Sequence, residues 1–312
     1  MKKKNSPKQK KKVPLVSIAI IFLFVDVAFL CITVSLFFLT YLTFPKPVED
    51  VSPFPVHFSY FAKTPDIQAF SKALAVYDVQ GKVLLLSKNQ NLRFSPASTA
   101  KIMTALVVLD HYSLNTILTV DSLPENPDSS KMGLFLGEKM TVLNLLYGML
   151  LPSGSDAADV LALHYPGGEE AFISQMNEKA KFLGLLNTHF VDPSGYSDDN
   201  YTTAYDLSRL GAYAIADPTF ADIVKTKEIT VYNADNTVPY DLKNLNELLA
   251  IPGVTGIKTG FTNEAQGVLV TTFLHNKKSY VLVVLGSKDR FQDTRTLIEG
   301  IINDLRLDPL NN

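Results

Sequence analysis

The chain has 312 residues, 46% apolar and 19% charged, with one cysteine (Cys31) and no tryptophan. A lone cysteine excludes a disulfide-stapled scaffold and a cysteine-ligated metal site, and the apolar fraction argues against an intrinsically disordered chain. The net charge of −2 hides an asymmetry: seven lysines crowd residues 1–12, while positions from 45 onward hold 22 basic and 30 acidic residues. That acidic body offers no basic surface for nucleic acid.

Along the chain, Lys2, Lys3, Lys4, Lys8, Lys10, Lys11 and Lys12 form a Lys-rich tail (1–12). Residues 13–44 are almost continuously apolar, longer than the roughly 20 residues a helical membrane span needs. The positive-inside bias places the tail in the cytoplasm and the body outside the cell, as a single-pass membrane protein. The apolar run is too long for a signal peptide core, and Tyr41-Leu42-Thr43-Phe44-Pro45 offers no small-residue cleavage site, so an uncleaved anchor is expected. Asp26 inside the run reads either as the mark of a partner or as a carboxyl tolerated in a single span. Pro45, Pro47, Pro53, Pro55 and Pro65 make 45–65 an extended linker. Residues 66–308 remain for one catalytic-sized domain.

Within it, Ala73–Asp78 and Val83–Leu86 flank Gln80-Gly81, a hairpin signal. A helix is predicted to open at Ser95-Pro96-Ala97-Ser98, with Ile102, Leu106 and Leu109 on one stripe. Further helices are predicted over Thr141–Leu151, from near Asp156 with Ser155 or Asp156 as cap, over Phe172–Leu183 with Gly184 as stop, and over Thr203–Ala214. Thr203 and Asp206 stand at capping-box spacing. Glu228–Tyr232 reads as a strand, and Gly267–Phe273 with Ser279–Leu285 as a second hairpin. Thr294–Leu305 closes the chain as an amphipathic helix. This order predicts an α+β fold, a mainly antiparallel sheet built from both chain ends around an inserted helical region.

Three short motifs could carry chemistry. Ser98-Thr99-Ala100-Lys101 puts a hydroxyl and an amine three residues apart on one helix face, at the end where the dipole favours developing negative charge. A desolvated lysine can activate such a serine. Alone, the pattern equally describes a capping serine beside a surface lysine. Ser153-Gly154-Ser155 falls in a break between helices, where a hydroxyl could relay a proton or merely cap a turn. Lys258-Thr259-Gly260 precedes a strand and reads either as a strand beside an active site, offering a cation, a hydroxyl and open backbone that a ligand can approach, or as a polar edge strand with a turn.

The three in this order resemble the serine penicillin-binding proteins and β-lactamases. The detail resembles the low-molecular-mass D-alanyl-D-alanine carboxypeptidases. Pro96-Ala97-Ser98-Thr99-Ala100-Lys101-Ile102-Met103-Thr104-Ala105-Leu106 carries that likeness, with Met149-Leu150-Leu151-Pro152-Ser153-Gly154, Asp192-Pro193-Ser194-Gly195, Thr203-Ala204-Tyr205-Asp206-Leu207 and Gly256-Ile257-Lys258-Thr259-Gly260-Phe261-Thr262. The resemblance covers roughly residues 65–305. It implies a transpeptidase-like fold with Ser98 acylated by the carbonyl between two D-alanines and Lys101 as general base. Ser153, with Lys258 nearby, would pass a proton to the leaving D-alanine. The backbone N–H groups of Ser98 and Phe261 would form the oxyanion hole beside Gly260. Thr259 and Arg290 would hold the terminal carboxylate, with Ser155 also touching substrate. The implied partners are peptidoglycan stem peptides and β-lactams as covalent inhibitors, with no cofactor.

Three departures from the family pattern stand out. Ser155 occupies the position of the family's asparagine, and losing one substrate hydrogen bond costs about 0.5–1.5 kcal/mol, so activity reduced roughly ten- to hundredfold is expected. A DD-endopeptidase, or an impaired peptidoglycan-binding homologue, are the alternatives. The N-terminal span is expected to replace the family's C-terminal domain and tail as anchor. No Glu-x-x-Leu-Asn run follows the second motif, so β-lactam turnover should be slow. No Gly-x-Ser-x-Gly elbow or nucleotide-binding glycine pattern occurs. The five histidines (His57, His111, His164, His189 and His275) lack paired spacing, so no metal site is expected.

Overall fold

The computed structural model describes residues 70–123 and 129–306. The expected tail, membrane span and linker (1–12, 13–44 and 45–65) lie outside the described residues. Among the described residues no helix is long and apolar enough to cross a membrane.

The first hairpin forms as expected, β1 (Ala73–Asp78) pairing antiparallel with β2 (Val83–Lys88). The Asp78 carboxylate accepts the Gly81 N–H at 2.8 Å and fixes the turn. A 3-10 turn, Ala97–Ala100, then leads into α1 (Lys101–His111), so Ser98 sits in the tighter turn ahead of the α-helix rather than inside it. A short ribbon follows, β3 (Ile117–Thr119) with β4 (Lys139–Thr141). Next come α2 (Val142–Leu150), capped by Thr141, and α3 (Ser155–Leu163). The N-cap of α3 is Gly154, without a side-chain bond, instead of Ser155 or Asp156. The Asp156 carboxylate instead accepts the N–H groups of Met132, Gly133 and Leu134 and ties that crossing segment to the helix.

α4 (Gly168–Phe182) begins four residues before the expected Phe172, because its first turn is polar, with Glu169 and Glu170 favoured at the positive helix end. Gly184, at φ 66°, ends it as expected. In α5 (Ala204–Ala214), Thr203 accepts the Asp206 N–H at 3.1 Å. The capping box is one-sided: the Asp206 carboxylate reaches Asn187 N and Thr188 Oγ1 instead of returning to Thr203. A helix not anticipated from the sequence, α6 (Pro218–Lys225), follows Asp217 as N-cap with Pro218 in its first turn.

β5 (Glu228–Tyr232) pairs with β6 (Pro239–Lys243), a partner the sequence reading lacked. Then come β7 (Val254–Thr262), β8 (Gln266–His275), β9 (Lys278–Ser287) and α7 (Arg290–Arg306), which starts four residues before the expected Thr294. Lys258-Thr259-Gly260 lies inside β7, not ahead of a strand.

The main sheet has the order β2-β1-β9-β8-β7 with antiparallel pairs throughout. It joins both ends of the domain, as expected. Both faces are covered. Ala73, Ala75, Val281 and Val283 pack toward the helical region, while Leu74, Val76, Leu282 and Val284 pack under Leu297, Ile298 and Ile301 of α7. This explains the nearly continuous apolar runs in β1 and β9. β2 and β7 are the edges. Replacing Thr203 by alanine should lower unfolding free energy by about 1 kcal/mol, since it deletes the α5 cap. Chemical denaturation of the full chain measures this.

Candidate active site

The 3-10 turn at Ala97–Ala100 lies against β7. A side-chain carbon added at Gly260 would come within 3.1 Å of Ser98 N and 3.0 Å of the Ala97 methyl group. A side chain there would make the serine turn or the strand give way by a few tenths of an ångström. Ala97, just before Ser98, holds a left-handed φ of 45°, a strained backbone next to a partly exposed hydroxyl.

Lys101 begins α1 and is fully buried. Its Nζ donates to Ser98 Oγ at 3.1 Å, to Ser155 Oγ at 3.3 Å and to the Ser194 carbonyl at 2.7 Å. Burial pulls this amine down to about 8, against the opposing pull of Asp192, Asp159 and Asp156. The Ser194 carbonyl belongs to a loop folded around Asp192. That carboxylate accepts N–H bonds from Ser194, Gly195, Tyr196 and Ser197, plus the Ser194 hydroxyl and the Asn200 amide. Burial alone would raise the Asp192 carboxyl, but these bonds win and hold it below the ordinary range. Gly195, at φ 76°, presses on the Ala97 carbonyl, where a side chain would collide.

Lys258 is also fully buried, and its Nζ donates to the Thr259 carbonyl at 3.1 Å. Burial first, then the charges of Lys101 and Arg290, push its amine well below the usual lysine range. Ser153, at φ 69°, is buried, and its hydroxyl has no partner among the described residues. Ser153 therefore makes no hydrogen bond to Lys258; it is Ser155 whose hydroxyl reaches a lysine. Thr259 is buried beside them, and Phe261 is exposed on β7 opposite Gly267. Arg290 stands against Gly267 at the start of α7, its guanidinium 4.8 Å from the Phe291 ring centre. Among the described residues no carboxylate pairs with it, and its Nε is buried without a partner. The sequence reading left the Asp192 loop without a role, although its Asp-Pro-Ser-Gly turn chemistry marked an ordered loop.

A serine whose hydroxyl touches a dry lysine, in a turn packed against the edge strand of an antiparallel sheet, defines the class: a serine peptidase of the acyl-transfer kind. The D-alanyl-D-alanine carboxypeptidase (peptidase S11) family model matches residues 59–289, and the chain belongs to that family. A D-alanyl-D-alanine carboxypeptidase of Streptomyces strain K15 is 38% identical over 221 residues, 65% of this chain and 76% of its own. One from Bacillus subtilis is 34% identical over 241 residues, 74% of this chain, which spans 61% of that relative's length. A D-alanyl-D-alanine endopeptidase of Escherichia coli is 36% identical over 253 residues, 76% of this chain and 79% of its own. The crystal structure of the Streptomyces K15 DD-transpeptidase superposes with a TM-score of 0.70 at 33% identity, over 74% of this chain and 96% of that one.

Replacing Gly260 by alanine should slow acylation of the full chain by penicillin at least roughly tenfold, because small displacements at a reacting centre are costly. The thermal midpoint should move by only a few degrees. Intact mass against time, beside a thermal melt, checks both.

Proposed function

We propose that the chain is a membrane-anchored serine DD-carboxypeptidase that removes the terminal D-alanine from peptidoglycan stem peptides outside the cell. One observation carries this reading: Lys101 Nζ, fully buried, stands 3.1 Å from Ser98 Oγ. Burial keeps a usable fraction of the amine unprotonated near neutral pH, which is what a general base requires.

The steps follow. Ser98 Oγ attacks the carbonyl between the two D-alanines while its proton passes to Lys101. The N–H groups of Ser98 and Phe261 stabilise the oxyanion, at about 3 kcal/mol per donor in comparable sites. The C–N bond breaks, and the departing D-alanine nitrogen takes a proton relayed through Ser153. Water then adds to the ester, and Ser98 recovers its proton. Thr259 and Arg290 hold the substrate's terminal carboxylate; the guanidinium without an ion-pair partner among the described residues supports that role. β7 lies at the sheet edge, where an extended peptide can add as a strand. The Ser155–Lys101 contact supports an assembled site rather than an impaired homologue.

Cleavage of cross-linked stem peptides is the second reading, favoured by the relatives in Escherichia coli and Pseudomonas aeruginosa named endopeptidases. Residues 13–44 would anchor the chain with the Lys-rich tail in the cytoplasm. β-Lactams would acylate Ser98 and leave slowly.

Incubating the full chain with penicillin should give a single persistent adduct, and a D-Ala-D-Ala pentapeptide should release free D-alanine. Ser98→Ala should abolish both and leave the melting temperature unchanged; native-rate release by that variant sinks the mechanism. D-alanine freed only from cross-linked dimers would favour the endopeptidase. Acylation should rise with pH through about 8 and then level, because the lowered Lys101 amine must be neutral to act. Ser155→Asn should raise acylation roughly tenfold by restoring one substrate hydrogen bond, as rates against penicillin concentration would show.

A further inference from the structure

Asp293, in the first turn of α7, is a buried carboxylate with no role in the reaction steps. Among the described residues no cation pairs with it. Both its oxygens are nevertheless engaged. Oδ1 accepts the Phe70 N–H at 2.8 Å, where the chain leads into β1, and Oδ2 accepts the Ser287 hydroxyl at 2.6 Å. Ser287 is itself buried at the end of β9, and its Oγ accepts the Asp289 N–H at 3.1 Å. A carboxylate taken out of water is costly, so its partners call for a reason. Capping α7 is not that reason, because the Asp289 carboxylate already accepts the Gln292 N–H at 3.0 Å.

What the contacts enclose is Arg290. It lies between Asp289 and Asp293, and Ser287 is bonded to both, so the turn that carries the arginine is tied to the end of β9 on either side. The Thr294 hydroxyl also holds the Arg290 carbonyl, at 2.8 Å. Ser287 pairs with Gly267 on β8, and Gly267 pairs with Phe261 on β7. A side-chain carbon added at Gly267 would come within 2.7 Å of the Ser287 carbonyl and 3.3 Å of Arg290 Cβ. One row across three strands thus runs from the oxyanion-hole residue to the seat of the arginine. The guanidinium has no ion-pair partner among the described residues, and its Nε is buried unpaired, so its aim depends on the backbone that carries it.

We propose that Asp293 is a positioning residue for substrate binding: through Ser287 it holds the first turn of α7, and with it Arg290, in register with β7. The inference rests on the reading of Arg290 as the group that holds the substrate's terminal carboxylate.

Steady-state cleavage by the full chain tests it, with a pentapeptide ending in D-Ala-D-Ala and the same peptide with its terminal carboxyl converted to an amide. In Asp293→Asn, KM for the free acid should rise about tenfold with kcat within about twofold, while kcat/KM for the amide stays within about twofold. The preference for the free acid then collapses. Ser287→Ala should reduce that preference about threefold, since one of the two oxygens loses its donor. Equal losses on both peptides would show a merely structural role and overturn the proposal. If a thermal melt shows that Asp293→Asn does not fold, Ser287→Ala decides by the same ratio. Arg290→Gln separates the two readings. If it abolishes the preference and the Asp293 and Ser287 variants keep it, the role of Asp293 alone is overturned. If it leaves the preference intact, the carboxylate reading of Arg290 fails and takes the proposal with it. Acylation by a penicillin and by its methyl ester, followed by intact mass, reads the same ratio without turnover, and a parent chain that reacts with none of these compounds overturns both.

Discussion

An amine held in the dry is the constraint around which the site is organised. Lys101 is fully buried, and among the described residues no carboxylate lies within ion-pair distance of it. A close carboxylate would fix the ammonium form and leave no base. Its hydrogen bonds go instead to two hydroxyls and one carbonyl. Three carboxylates act from farther away and offset part of the desolvation. The Asp192 loop exists to present that carbonyl, with four backbone N–H groups converging on one carboxylate. A strained Ala97 and a close-packed Gly195 follow from pressing the loop onto the serine turn.

The topology supplies what no local segment can. The serine turn follows the first hairpin, Ser155 and Asp156 come from the helical region, and Lys258 arrives more than a hundred residues later on β7. Inserting the helices between strands of one sheet brings these segments together around Lys101. β7 must be the last strand of that sheet, because an inner strand would have both edges occupied and could not lie against the serine turn. The apolar layers on both faces of β1 and β9 make this arrangement rigid, and each fully buried aliphatic side chain contributes about 1.5–3 kcal/mol.

Much of this was legible in the sequence, for identifiable reasons. The two main-sheet hairpins announced themselves through apolar runs broken by Gln80-Gly81 and by His275–Lys278. Helices with an apolar stripe and a polar stop were placed to within a few residues. The starts of α4 and α7 were missed because their first turns are polar or charged, so hydrophobic periodicity begins one turn late. α6 was missed for its brevity, although Asp217-Pro218 is a cap followed by a helix-opening proline. Ser98, Lys101 and the Lys258 strand were readable as a set. That Ser155 rather than Ser153 would reach a lysine was not, because that depends on the backbone at Ser153, whose φ of 69° no propensity scale indicates.

The unpaired groups in the cleft form a pattern. The Ser153 hydroxyl and Arg290 Nε are buried without partners among the described residues, and Lys258 Nζ has one carbonyl. Each such group costs free energy in the folded protein, commonly about 1–3 kcal/mol when fully unsatisfied. Together they offer a cation fork, a hydroxyl and an amine, the kinds of group that hold an anionic ligand end. Polar groups that stay unpaired until substrate arrives have already lost their hydration, so binding need not strip it again. Ser155 fits this economy. Its oxygen is engaged by Lys101, and its single hydrogen meets no acceptor among the described residues. An asparagine would present two donors from a longer arm. Its amide oxygen could also accept from Lys101, so the shorter serine changes the reach of the donor without removing the contact that holds the base.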